Sequence, residues 1–185
     1  NTGRARPIYA KHHLVPFGEY IPYQRYIPLT PVARFENLTP GPGPAIVTLP
    51  RHAPFRPLIC YESIFGNEVR ANLATAEWLL VVTNDAWYGN SPGPYQHWAE
   101  ARARAIETGR PLVRVAVTGI SSVFDAQGRV LVTMPYNTAG QRAVTLSLPD
   151  HPIQTIYARL GDTPLMMVMM LFLGSGLYLS RRRTK

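Results

Sequence analysis

The sequence predicts an α/β domain. Three stretches carry that expectation: "PLICY" (57–61) feeding a loosely helical segment, the continuous apolar run "WLLVVTN" (78–84), and the helix-patterned "YQHWAEARARAIETG" (95–109). Strand and helix alternate through these stretches and strands dominate after them, the order expected of sheets covered by helices. A chain of 185 residues, 46% of them hydrophobic, can bury one core and is too apolar for a disordered chain.

In chain order, "IYAKHHLV" (8–15) is expected to be a strand. Residues 16–44 are Pro-rich and end in "TPGPGP", which reads as a long ordered loop closed by a turn. "AIVTL" (45–49) and "PLICY" have strand composition. In "SIFGNEVRANLATA" (63–76), Ser63 is a candidate N-cap, and Ile64, Val69 and Leu73 are spaced loosely as on a helix. "WLLVVTN" suits a strand buried on both faces, with a loop, "DAWYGNSPGP", after it. The helix over 95–109 is closed by Gly109, with Pro111 soon after. "LVRVAVT" and "SSVFDAQGRVLVTMP" give three strands, the last two joined by a turn at Ala126-Gln127-Gly128, and "RAVTLSL" (142–148) gives another.

The segment "PLMMVMMLFLGSGLYLS" (164–180) has no charged residue. At 17 residues it lies at the short edge of the roughly 17–25 that span a bilayer as a helix. Arg181-Arg182-Arg183 follow it, and the excess of positive charge on cytoplasmic flanks would then put the C-terminus in the cytoplasm. The organisation expected is a globular part over 1–150, a linker over 151–163, a membrane helix over 164–180 and a basic tail over 181–185. The start, "NTGRARPIYAK", has no Met and reads as mid-domain, as in a piece of a longer protein.

Composition removes several function classes. The net charge is +8, but four of the positive charges sit in the terminal "RRRTK" and the rest alternate with apolar residues, so no nucleic-acid partner is expected. A single cysteine excludes an internal disulfide and a Cys-based zinc site. His12 and His13 on a strand would face opposite ways, and His97 has no partner one helical turn on, so no metal is expected. No G-x-S-x-G elbow and no nucleotide-binding glycine pattern occurs, which leaves no cofactor.

What remains is Cys60. A lone cysteine is either a small buried residue or a nucleophile, and the second needs a cation or a helix N-terminus to favour the thiolate. Lys11 is a candidate cation or a plain surface lysine. Glu19, in "PFGEY" between Phe17 and Tyr20, is a candidate desolvated base or a surface partner.

In combination, "KHHLVPFGEYIP", "LICYESIFG", "TNDAWYG", "GPYQHWAEARARAIETGRPLVR", "TGISSV" and "YARLGD" resemble the apolipoprotein N-acyltransferases, from about Tyr9 to the end. The parent group is the nitrilase superfamily. The resemblance implies an α-β-β-α sandwich, here the C-terminal part of a catalytic domain over 1–150, with a Glu-Lys-Cys triad. Lys11 matches the triad lysine, Cys60 the nucleophile and Glu19 an accessory glutamate; Tyr61 and Glu62 match two further required positions. Trp87 and Tyr88 would line the site. The implied reaction moves an acyl chain from a phospholipid to Cys60, then to the N-terminal amine of a diacylglyceryl-modified apolipoprotein. It implies a monomer at the bacterial inner membrane, multi-pass at full length, with its catalytic domain on the periplasmic face. An amidase with water as acceptor and a non-catalytic membrane-anchored fragment are the alternatives. Two departures stand out. No acidic residue precedes Lys11, so the triad glutamate is expected upstream and the chain alone is expected to be inactive, and Val117 stands where the family usually has Asn.

Overall fold

The computed structural model describes residues 8–23, 25–26, 38–71, 73–149 and 153–183. Its centre is one mixed sheet in the order β1-β2-β3-β4-β5. β1 (Phe55–Ile59), β2 (Trp78–Asn84) and β3 (Leu112–Val117) run parallel, with Leu58 opposite Val81 and Val81 opposite Arg114. β4 (Ser121–Phe124) and β5 (Val130–Met134) add antiparallel. Parallel neighbours need a crossover, and the crossover between β2 and β3 is α2 (Gly93–Thr108).

α2 forms where its sequence permits. Pro94 sits in the first turn, where its missing N–H costs nothing, and Gly109 takes the left-handed φ of 64° that closes the helix. Ala101 and Ala105 of α2 are fully buried against the sheet with Leu58, Leu79, Val81, Leu112 and Phe124. Trp98 Nε1 donates to Ser122 Oγ (2.8 Å), fixing the helix across β4. The predicted turn between β4 and β5 is also present: Gly128 N–H donates to the Asp125 carbonyl (2.9 Å), and Gly128 has φ 75°.

Several sequence expectations are corrected. Residues 8–15 form no strand, because their backbone donors go elsewhere: the N–H groups of His12 and His13 go to the Glu62 carboxylate. Residues 45–49, bracketed by Pro44 and Pro50, contribute only an isolated bridge between Val47 and Phe55. Residues 142–148 pair with no strand among the described residues. The helix expected over 63–76 is three short pieces, a 3-10 turn at Cys60–Ile64, α1 (Gly66–Arg70) and a 3-10 turn at Leu73–Thr75. Phe65 and Ala71, both outside helical φ/ψ, separate them, and Ser63 lies inside the first turn rather than capping a helix.

β2 is buried on one face only. Leu79, Val81 and Thr83 are buried under α2, while Val82 on the opposite face is 46% exposed. Of the expected sandwich, the described residues show this one sheet and its helices.

After a short helix, α3 (Ile156–Leu160), the chain ends in α4 (Thr163–Arg183). The apolar side chains of α4 from Leu165 to Leu179 are exposed. Among the described residues no helix is long and apolar enough to cross a membrane, so the membrane span expected over 164–180 is not met. The run is at minimal length, and Gly174, Ser175 and Gly176 interrupt it.

Candidate active site

Cys60 directly follows the last residue of β1 and opens a 3-10 turn. Its φ is 52°, a left-handed conformation that costs a side-chain-bearing residue on the order of 1 kcal/mol or more. The surrounding bonds hold that turn. Ser63 Oγ donates to the Cys60 carbonyl (3.0 Å), and Ile59 N–H donates to Glu62 Oε2 (2.7 Å).

Glu62 is fully buried and does not line the cavity beside Cys60. Its carboxylate also accepts the N–H of His12 (2.7 Å) and the hydroxyl of Tyr9 (3.0 Å). A buried carboxylate is tolerable when its lone pairs are filled in this way. It rivets the irregular 9–13 segment, which carries Lys11, to the turn that carries Cys60. Burial and the adjacent Glu62 push the Tyr9 phenol far above its ordinary range.

Lys11 Nζ donates to both carboxylate oxygens of Glu19 (2.7 Å each), and Val15 N–H donates to Glu19 Oε2 (2.8 Å). Glu19, Cys60, Tyr61, Trp87 and Tyr88 share one cavity of about 270 Å³, with Val15 and Asn84 on its wall. Six of the seven residues singled out from sequence therefore meet here: five line the cavity, and Lys11 joins through Glu19. Trp87 and Tyr88 belong to a 3-10 turn (Asp85–Tyr88) that continues β2, and the Asn84 side chain accepts Ala86 N–H to start it. Gly93 must lack a side chain, because a Cβ there would come within 2.4 Å of the Tyr88 ring. Burial, then the neighbouring Cys60, Asp85 and Glu100, raise the Tyr88 phenol.

A second polar cluster, missed in the sequence, lies under the Cys60 turn. Asp85 is fully buried and accepts from Arg114 Nη2 (2.5 Å) and Thr83 Oγ1 (3.1 Å). His97 Nδ1 is 3.0 Å from Asp85 Oδ1, and His97 Nε2 is 2.9 Å from Ser63 Oγ. Burial acts to raise the Asp85 carboxyl, but the His97 hydrogen bond and the Arg114 charge outweigh it and hold the group below its ordinary range. Arg114 itself is lowered by burial. One signal was available: an arginine inside the apolar strand "LVRVAV" needs a buried partner. Val117, where the resemblance expects Asn, ends β3 with 61% exposure.

The arrangement offers a cysteine at a strand end, an ion pair that reaches the cavity through Glu19, and aromatic rings around them. Among the described residues no group of His, Cys, Asp or Glu is placed to hold a metal ion.

The chain is similar to known proteins. The chain is 42% identical over 183 residues to an apolipoprotein N-acyltransferase of Rhodopseudomonas palustris, covering 94% of this chain and 33% of the relative. It is 43% identical over 169 residues to one of Haemophilus influenzae, covering 89% and 32%. It thus spans about a third of the length of these curated relatives. An amidase from Nesterenkonia sp. is similar in structure at 26% identity, with a TM-score of 0.45 over 54% of this chain and 40% of that one. The carbon-nitrogen hydrolase pattern matches residues 1–157, through the strand that delivers Cys60 and both segments that face it, and the chain belongs to that family.

Proposed function

We propose that the protein containing this chain is an apolipoprotein N-acyltransferase. It moves a fatty acyl chain from a membrane phospholipid to the N-terminal amine of a diacylglyceryl-modified apolipoprotein. The observation that carries this reading is the identity of 42% and 43% to relatives of that name, over a stretch that brings Cys60, Glu19 and the Lys11 pair together.

In the first step the Cys60 thiolate attacks the ester carbonyl of the phospholipid. The carbon–oxygen bond breaks, the lysophospholipid leaves with a proton, and a thioester remains on Cys60. The acceptor amine then attacks the thioester, the carbon–sulfur bond breaks, and the amine's surplus proton passes to a base. This is nucleophilic catalysis in two half-reactions. The Lys11 ammonium and the backbone N–H of Tyr61 stabilise the tetrahedral oxyanion. The apolar cavity wall with Trp87 and Tyr88 receives the acyl chain, and no cofactor takes part.

Glu19 is a poor base for Cys60 in this arrangement, since both its oxygens already accept from Lys11 and one also from Val15. We therefore assign the proton transfers to a glutamate outside this chain, and expect the chain alone to form no acyl-enzyme. The enzyme works as a monomer at the outer face of the bacterial inner membrane, where both lipid substrates lie.

Full-length protein incubated with phospholipid and no acceptor should gain one acyl mass on the peptide carrying Cys60, and hydroxylamine should remove it. Acyl transfer by a Cys60→Ala protein would overturn the mechanism. Release of free fatty acid or ammonia from amides, with no transfer to a lipopeptide amine, would assign the cavity to amide hydrolysis instead.

A further inference from the structure

Ser63, His97 and Asp85 make the contacts of a hydrolytic triad, Oγ to Nε2 at 2.9 Å and Nδ1 to Oδ1 at 3.0 Å. They cannot act as one. Ser63 is fully buried, and its hydroxyl lies 3.0 Å from the carbonyl of Cys60, so no substrate carbonyl reaches it. The chain of contacts instead ends on the backbone of the proposed nucleophile, at the residue held with φ 52°.

A proton count shows what the chain of contacts does. The Ser63 hydroxyl has one proton and two neighbours that can accept it, the Cys60 carbonyl and His97 Nε2. When both ring nitrogens carry protons, Nδ1 donates to Asp85 and Nε2 donates to Ser63. The hydroxyl proton is then free for the Cys60 carbonyl. When the ring is neutral with its proton on Nδ1, Nε2 takes the hydroxyl proton and the Cys60 carbonyl loses its donor.

Among the described residues four groups face the ring. Asp85, from the turn after β2, has Oδ1 3.0 Å from Nδ1. Arg114, from β3, has Nη2 3.4 Å from Nδ1. The Tyr88 ring lies 5.8 Å away, and Ser63 closes the remaining side.

We propose that His97, backed by Asp85, is a positioning residue for Cys60: as a donor at Nε2 it keeps the Ser63 hydroxyl on the Cys60 carbonyl, which holds the thiol and the Tyr61 N–H in register for acylation. This rests on Cys60 being the nucleophile, as proposed above.

The test is the acylation burst of the full-length protein with a p-nitrophenyl acyl ester, beside alkylation of the Cys60 peptide by iodoacetamide. Alkylation needs only an accessible thiol; acylation also needs the oxyanion donors in place. Ser63→Ala should slow acylation about threefold to tenfold, the range of one hydrogen bond, and change alkylation less than about twofold. Ser63→Thr, which keeps a hydroxyl, should acylate near the wild-type rate. His97→Gln, which keeps a donor for the Ser63 hydroxyl, should acylate near the wild-type rate, whereas His97→Leu, which keeps none, should lose about as much as Ser63→Ala.

Wild-type acylation by Ser63→Ala would overturn the proposal, as would equal losses of acylation and alkylation or equal acylation rates for His97→Gln and His97→Leu. If Ser63→Ala does not fold, Ser63→Thr and the comparison of His97→Gln with His97→Leu decide the matter. A wild type with no burst at all would instead sink the nucleophile reading, and this inference with it.

Discussion

Cys60 stands between two clusters made from the same chemistry, a carboxylate paired with a cation, and buried to different degrees. Lys11 and Glu19 keep 11% and 21% of their side chains exposed, and Glu19 lines the cavity. Asp85 and Arg114 keep none. The open pair comes from a segment without regular structure and can be reached by a ligand. The sealed pair comes from the turn just after β2 and the middle of β3, and both Asp85 oxygens already accept hydrogen bonds. A charge that can still meet a substrate serves a reaction, whereas one sealed from solvent and already bonded at both oxygens serves the shape of the site. The two clusters should therefore fail differently when broken.

The largest effect is expected in the open pair. Lys11→Met should slow Cys60 acylation by about a thousandfold, or ~4 kcal/mol of transition-state stabilisation. It should cost the fold less than ~1 kcal/mol, because a part-exposed ion pair contributes little to stability. The acylation burst and urea unfolding of the same preparation read the two numbers. A variant that unfolds easily and acylates normally once folded would erase the distinction between the clusters.

The sealed pair should behave in the opposite sense. Arg114→Leu strands the Asp85 carboxylate beneath the sheet, and losing one partner of a buried pair costs about 3–5 kcal/mol. Urea unfolding should show that loss, and whatever fraction remains folded should still be alkylated at Cys60. An unfolding free energy within ~1 kcal/mol of the wild type would mean that water reaches Asp85.

The same contrast explains what was legible in the sequence. β2, α2 and β3 to β5 were readable because each element's own residues dictate it: a long apolar run, a helix closed by Gly109, a turn at Gly128. The 8–15 segment was not, because its backbone donors go to Glu62, some fifty residues on, and no local pattern records that. The positions of Lys11, Glu19 and Cys60 were named in advance through resemblance, and their meeting at one cavity required the fold. Ser63 looked like a helix cap because a polar residue before an apolar stretch has that appearance; its actual neighbour, His97, is 34 positions away. Arg114 was the readable clue left unused. In α4 the apolar residues were plain, and their length set against the interrupting Gly174 and Gly176 was what the run alone did not decide.

Acid should sharpen the contrast further. Asp85 is held below its ordinary carboxylate range, so its charged form stabilises the fold. That stabilisation is fully present above the unfolded carboxylate value of about 3.9 and is lost as pH falls through the lower folded value. Unfolding midpoints measured downward from about pH 5 should fall more steeply in the wild type than in an Asp85→Asn protein. Parallel curves would show that Asp85 gains nothing from its partners.

The smallest effect comes from a pair that matches the sealed one in distance and differs in burial. Arg129 Nε donates to Asp125 Oδ2 at 2.5 Å, as close as Arg114 to Asp85, but Arg129 is 77% exposed. If distance set the energy, both pairs would count equally. Solvent instead screens the exposed pair, and holding a long side chain in place offsets much of what is left. Arg129→Gln should therefore change the unfolding free energy by less than ~1 kcal/mol, and raising the salt to about 1 M should shrink even that. The Asp125 carboxylate keeps the N–H groups of Gln127 and Arg129 at 2.9 and 2.8 Å, bonds that survive loss of the guanidinium. A loss as large as that of Arg114→Leu would show that the turn between β4 and β5, rather than burial, sets the worth of an ion pair in this fold.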